Sequence, residues 1–367
     1  MNPRFHAAIG EAMTRLRTSD VAGATNALQR ALSGRPVQEG MDSQSRAQDR
    51  PGIEPSSTRG LETVLDQLRR QRASFFKDRR AEASVVEQPD DSENFRSRMF
   101  RSVIGSLAYK LYVPDDYAGR QLTLIIMLHG CTQNPDDFAR GTRMNALADE
   151  FGLIVAYPLQ PKSANAQGCW NWFDRRHQQR GAGEPALLAG LAQELASEFA
   201  IGRSRIFAAG LSAGGAMADV LSSAYPEVFT AVGIHSGLPY GAAKDVMSAF
   251  SAMKGNGKAS ARRASTVRKI IFHGEADATV HPSNGERMFD LARSTHGPLP
   301  EYQIDAVING KRVTRSLIGR GQDHALAEHW LIHGGGHAWS GGDHRGSYVD
   351  ATGPDASREM VRFFLQA

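Results

Sequence analysis

Two rhythms of apolar and polar residues divide this chain. Over the first ninety residues the spacing is helical. Phe5, Ile9, Met13 and Leu16 fall on one face and Val21, Ala24, Leu28 and Leu32 on another, with Ser19 or Asp20 placed to cap the second helix. A third helix is expected from Leu61 to about Arg80, with Leu61, Val64, Leu65 and Leu68 as its stripe. Between 33 and 59 the chain is rich in Gly, Pro, Ser, Gln and charge and nearly free of large apolar residues. Such a composition buries too little surface to offset its ordering entropy, which predicts a linker. Residues 1–90 are therefore expected to form a helical, flexible extension, and 91–367 the main domain.

From Phe95 onward the rhythm changes to strands alternating with helices. FRSRMFRSVIG and LAYKLYVP predict an antiparallel pair, and LTLIIMLHG a fully buried strand. A helix over 145–151, the strand LIVAYP, a helix over 185–199, the strand RIFAAG and a helix over 214–224 follow. AVGIHSG, KIIFHG and HWLIHG predict three further strands, and 356–365 a closing helix. This alternation predicts an α/β fold with a mostly parallel sheet covered by helices on both faces.

Composition adds limits. The 367 residues, 41% hydrophobic and 22% charged, suit one large domain with an appendage, and a net charge of +4 is mild. Arg69, Arg70, Arg72, Lys77, Arg79 and Arg80 crowd one predicted helix end. Glu62, Asp66 and Asp78 interleave with them and no nucleic-acid-binding motif is present, so a solvated helix face is favoured over a nucleic-acid contact. No run approaches the ~18 apolar residues of a transmembrane helix. MNPRFHAAIGEAMTRLR has no continuous apolar core and does not read as a signal peptide, which gives a cytoplasmic expectation. Two cysteines are too few for a disulfide framework and lack zinc-ligand spacing, so neither metal nor cofactor is expected.

The segment RIFAAGLSAGGAMADVL carries the most chemical information. It reads strand, then Gly210-Leu211-Ser212-Ala213-Gly214, then helix, which is the context that gives a G-x-S-x-G pattern its meaning as the nucleophile elbow of the α/β-hydrolase fold. The helix that follows turns its positive end toward Ser212, and the Ala213 N–H is a candidate oxyanion donor. A serine needs a base, and the base a carboxylate, in the chain order Ser, Asp, His on this fold. Asp277 follows the predicted strand KIIFHG. Asp290 and Asp323 are weaker rivals because no predicted strand delivers them to the sheet edge. Nine histidines follow Ser212. His337, after a strand and three glycines, is favoured over His333, which lies at the strand end and is expected to pack structurally. The buried strand ending in His129-Gly130-Cys131 places the Cys131 backbone as the second oxyanion donor.

With these motifs assembled, the chain resembles the polyhydroxybutyrate (PHB) depolymerase family of esterases, which is similar to feruloyl and acetylxylan esterases. The resemblance runs over about 95–367 through LHGCTQNPDDFARGTRMNALADEFGLIVAYP, GCWNWF, GLSAGGAMA, HSGLPYGAA, FHGEADATVHP, HGGGHAWSGG and GPDASREMVRFF. It implies a nucleophile at Ser212, an acid at Asp277, a base at His337 and an oxyanion hole at Cys131 and Ala213. It also implies a cleft near the GCWNWF tryptophans, so Trp170 and Trp172, with Trp339 beside His337, are expected to line an ester-binding groove. Cys131 and Cys169 are either free thiols or a bridge between the oxyanion loop and the tryptophan loop. The expected substrates are 3-hydroxybutyrate oligomers, polyester or other short-acyl esters, with a polyester granule surface as a possible partner. The alternatives are a feruloyl- or acetylxylan-type carbohydrate esterase and, in a different class, a non-catalytic binding protein on a hydrolase scaffold. Extracellular depolymerases of this type carry a signal peptide, which makes an extracellular location the alternative to the cytoplasm. The glycine-rich, basic stretch 253–268 is expected to be a mobile surface loop.

Overall fold

A computed structural model describes residues 92–366 apart from 118, 120, 258–264 and 322. The helices and linker expected over 1–90 lie outside the described residues, as does the middle of the 253–268 stretch.

The domain opens with β1 (Phe95–Ser102) and β2 (Gly105–Tyr112), followed by β3 (Thr123–Leu128), α1 (Pro135–Thr142), α2 (Met144–Phe151) and β4 (Leu153–Pro158). Next come α3 (Gly183–Glu198), β5 (Ile206–Leu211), α4 (Ala213–Ala224), β6 (Ala231–His235), α5 (Val246–Ser251) and β7 (Arg268–Gly274). The chain continues through α6 (Ser283–His296), β8 (Glu301–Ile308), β9 (Lys311–Gly319), β10 (Ala325–Ile332), the short β11 (Trp339–Ser340) and β12 (Val349–Asp350), and α7 (Ala356–Leu365). Ten strands form one sheet in the order β1-β2-β4-β3-β5-β6-β7-β10-β9-β8. The six central strands from β4 to β10 run parallel, and antiparallel strands close both ends.

The central strands are buried on both faces, which is why they read as unbroken apolar runs. Period-2 alternation then sorts the side chains. Leu124, Ile126 and Leu128 of β3 join the core under α3, α4 and α6, whereas Ile125 and Met127 face α1, α2 and α7 on the other side. Capping explains where two of these helices start. Asn134 accepts the Asp137 N–H at 2.8 Å ahead of α1, and Asp355 accepts the Arg358 N–H at 3.0 Å ahead of α7.

α1, α5, α6, the hairpin β8–β9 and the short β11 and β12 were not among the elements expected from the sequence. That hairpin turns on Asn309 and Gly310, at φ of 45° and 80°, the left-handed pair that a two-residue turn between twisted strands requires. The residues 252–256 continue α5 as a π-helical turn.

Candidate active site

The site forms at the C-terminal ends of the parallel strands. β5 ends in the elbow, where Ser212 adopts φ 56° and ψ −117°, a strained conformation for a residue with a side chain. The strain is imposed by close packing around two glycines. A Cβ on Gly214 would lie 2.0 Å from the Leu128 carbonyl oxygen and 2.7 Å from that of His129, and one on Gly210 would lie 2.4 Å from the Gly214 carbonyl carbon. Only glycine lets α4 start this close to the end of β3, so the elbow and the loop after β3 are pressed together. The Ser212 N–H is held by the His235 carbonyl at 2.8 Å, and its hydroxyl makes no capping bond to α4.

Asp277 sits three residues beyond β7, buried, with one carboxylate oxygen accepting the N–H groups of Thr279 at 2.9 Å and Val280 at 2.8 Å. The other oxygen accepts a 2.7 Å hydrogen bond from His337 Nδ1. Burial alone would raise this carboxyl, but the His337 hydrogen bond and charge, with the backbone donor, outweigh it and hold it below the usual carboxylate range. Because Nδ1 must donate to the carboxylate, Nε2 carries the lone pair of the neutral ring. The glycines before His337 pack against the end of β7: Ala276 N–H donates to the Gly335 carbonyl at 2.9 Å, and a Cβ on Gly274 would meet that oxygen at 2.4 Å. The structure thus pairs His337 with Asp277. It sends His333 elsewhere, to Thr314 Oγ1 at 2.9 Å and Glu275 at 3.3 Å. Asp290 lies on α6 and pairs with Arg293 at the surface.

The loop after β3 is braced from several sides. Gln133 Oε1 accepts the Gly130 N–H at 2.9 Å, and its amide donates to Asp137 and to Ser347 in the loop before β12. The His129 ring donates from Nδ1 to the Gly130 carbonyl at 2.8 Å and accepts the Gln160 N–H on Nε2 at 3.2 Å. Complete burial pushes this imidazole down to about 4, so it stays neutral. Cys131 forms a disulfide with Cys169, which resolves the open question about the two thiols. The N–H groups of Cys131 and Ala213 have no hydrogen-bond acceptor among the described residues.

The expectation that three tryptophans line the groove is corrected. Trp170 and Trp339 are 0% and 1% exposed and Trp172 is 5% exposed, so they have almost no surface to offer a substrate. Trp170 donates from Nε1 to the His129 carbonyl at 3.2 Å, and Trp339 donates to Ser357 Oγ at 3.1 Å while stacking on His235. From within the core they brace the loop after β3 and the stretch that follows His337. Phe173, packed edge-on against Trp172 and partly exposed, is the accessible aromatic of that stretch. The sequence reading also missed Gln133, His235 and Glu184. Only Gln133, inside the HGCTQ run, had a local signal. Among the described residues no group of three or more His, Cys, Asp or Glu side chains is arranged to hold a metal ion, and no helix is long and apolar enough to cross a membrane.

A mostly parallel sheet with a strained serine between β5 and α4, and an Asp–His pair delivered by later strands, defines an α/β-hydrolase. The model of the esterase PHB depolymerase family matches residues 107–294, and the chain belongs to that family. Poly(3-hydroxyalkanoate) depolymerase C of Paucimonas lemoignei is 31% identical over 248 residues, which is 64% of this chain and 58% of the relative. Acetylxylan esterase A of Talaromyces purpureogenus is 28% identical over 199 residues, covering 49% of this chain and 51% of that one. The chain thus spans a little over half the length of these curated relatives. The solved acetyl xylan esterase from Aspergillus awamori shares the fold, with a TM-score of 0.57 at 19% identity over 74% of this chain and all of that one.

Proposed function

We propose that this chain is a serine esterase that cleaves carboxylic esters through an acyl-enzyme. The observation that carries the reading is the His337–Asp277 hydrogen bond at the same sheet edge as a strained, uncapped Ser212. His337 Nε2 takes the hydroxyl proton as Ser212 Oγ attacks the ester carbonyl carbon. The carbonyl oxygen gains the negative charge and is met by the Cys131 and Ala213 N–H groups, at the positive end of α4. Collapse of the tetrahedral species expels the alcohol, protonated by His337. Water, deprotonated by the same ring, then releases the acid and restores Ser212.

The depolymerase relative supports 3-hydroxybutyrate oligomers, polyester or other short-acyl esters as substrates. The acetylxylan esterase relative favours a second reading, an esterase acting on acyl groups of carbohydrate. A panel of p-nitrophenyl esters of rising chain length, 3-hydroxybutyrate oligomers, amorphous polyester, acetylated xylan and feruloyl esters separates the two. Ser212→Ala is expected to lower turnover by about 10⁴-fold or more without loss of fold. Substantial activity in a folded Ser212→Ala protein rules the mechanism out.

The Cys131–Cys169 bridge favours an oxidising compartment over the cytoplasm. Alkylating the protein at the moment of cell lysis tests this, since two trapped thiols argue for the cytoplasm.

A further inference from the structure

We propose that Glu184 is a positioning residue for the Cys131 amide, a role that rests on the serine-esterase reading above. Glu184 lies in the first turn of α3 and is almost fully buried. A buried carboxylate is costly unless its oxygens are satisfied, and here they are satisfied by one stretch of chain. One oxygen accepts Gln160 Nε2 at 2.6 Å and Asn171 Nδ2 at 2.6 Å, and the other accepts the Asn171 N–H at 2.8 Å.

The stretch that Glu184 holds is the one that grips the oxyanion loop. Gln160 gives its N–H to the His129 ring at 3.2 Å and its side-chain amide to the Cys169 carbonyl at 3.0 Å. Trp170 holds the His129 carbonyl, the Gln167 carbonyl accepts the Thr132 N–H at 2.7 Å, and Cys169 is bonded to Cys131 itself. The 160–171 stretch thus reaches His129, Cys131 and Thr132. Glu184 fastens both ends of it, through Gln160 and Asn171, to a helix packed on the sheet. A glutamine cannot replace it. Donors converge on both oxygens, so whichever way the amide turns, its NH₂ faces an N–H.

An oxyanion amide stabilises charge only where the transition state develops it, so a displaced amide lowers kcat more than it weakens substrate binding. Removing one such donor costs about 10²–10³-fold in kcat. Displacing it by Glu184→Gln is expected to cost about 10–100-fold, with KM within about threefold of the parent. The inhibition constant of an alkylboronic acid, which forms a tetrahedral adduct on a serine, should rise in parallel with the loss in kcat. Glu328→Gln is the control. Glu328 is buried and bonded to Arg315, Arg362 and Trp330, and among the described residues none of these partners belongs to the oxyanion loop. It should lose thermal stability and keep kcat.

Parent-like kcat in folded Glu184→Gln, a rise in KM alone, or an equal kcat loss in Glu328→Gln would each overturn the proposal. If Glu184→Gln does not fold, Gln160→Met removes the donor shared by Glu184 and the Cys169 carbonyl and is read by the same criteria. Failure of the esterase reading itself looks different, because the parent would then be inert toward esters and boronate, or Ser212→Ala would stay active.

Discussion

The hydrogen bond from His337 to Asp277 leaves one ring nitrogen for the proposed proton transfer from Ser212, and no other described histidine is tied to that carboxylate by so short a contact. His273 Nε2 lies 3.5 Å from Asp277 and is engaged by the Val280 carbonyl at 2.8 Å. His337→Ala is therefore expected to remove ester turnover by about 10⁴-fold, whereas His333→Ala, which loses only Thr314 and Glu275, should keep turnover within a few fold. Steady-state kinetics on both variants checks this, and the opposite pattern would assign the base to His333. The strand-end positions of Ser212, Asp277 and His337 were legible in the sequence because each follows a strand that sets its place at the sheet edge. The tryptophans were not. An irregular stretch such as GCWNWF has no period to say which side of a ring is covered, and burial showed them to be core instead of wall. Glu184 was equally hidden, since its partners lie 13 and 24 residues away in a loop without a pattern.

Strands and helices with strong periodicity were read nearly to the residue, as with α7 and β4. The hairpin β8–β9 was missed although it carries an Asn-Gly turn between alternating strands, because polar strands near a sheet edge lack the apolar run used to find the others. Other links between elements depend on covalent chemistry. The Cys131–Cys169 bridge joins loops 38 residues apart and limits the unfolded chain accordingly. Reduction is expected to lower stability by about 2–4 kcal/mol. Because the bridge ends at the proposed oxyanion donor, kcat should fall along with it. Denaturant unfolding and kinetics of Cys169→Ser check both. Unchanged stability and turnover would show that the hydrogen bonds from Trp170 and Gln160 hold the loop unaided.

Across the molecule, several buried imidazoles set how stability responds to pH. Burial holds His129 and His329 down to about 4 and His235 down to about 3, against an ordinary value of 6.5. The His235 Nε2 accepts the Ser340 N–H at 3.1 Å, a bond that needs the neutral ring. Below about pH 6.5 the unfolded chain takes up protons that these folded rings refuse, so stability falls as pH falls toward 4. Each histidine is expected to remove on the order of 1–2 kcal/mol between pH 7 and 5. Asp277, held below the usual range, adds its own loss only at still lower pH, as its carboxylate protonates. A Tm unchanged from pH 7 to 5 would contradict this account. The open ten-stranded sheet has a last consequence, for self-association. Among the described residues no strand pairs with the far side of β1 or β8, and such edges offer backbone donors and acceptors that a second chain can pair with, the route by which sheets grow into fibrils. The outer strand β8 meets that hazard with Glu301, Gln303 and Asp305 spaced along it, and β1 does so with Arg96, Arg98 and Arg101. Pairing another strand there would press carboxylates or guanidinium groups against the newcomer, so the charges that hid β8 in the sequence also discourage an eleventh strand.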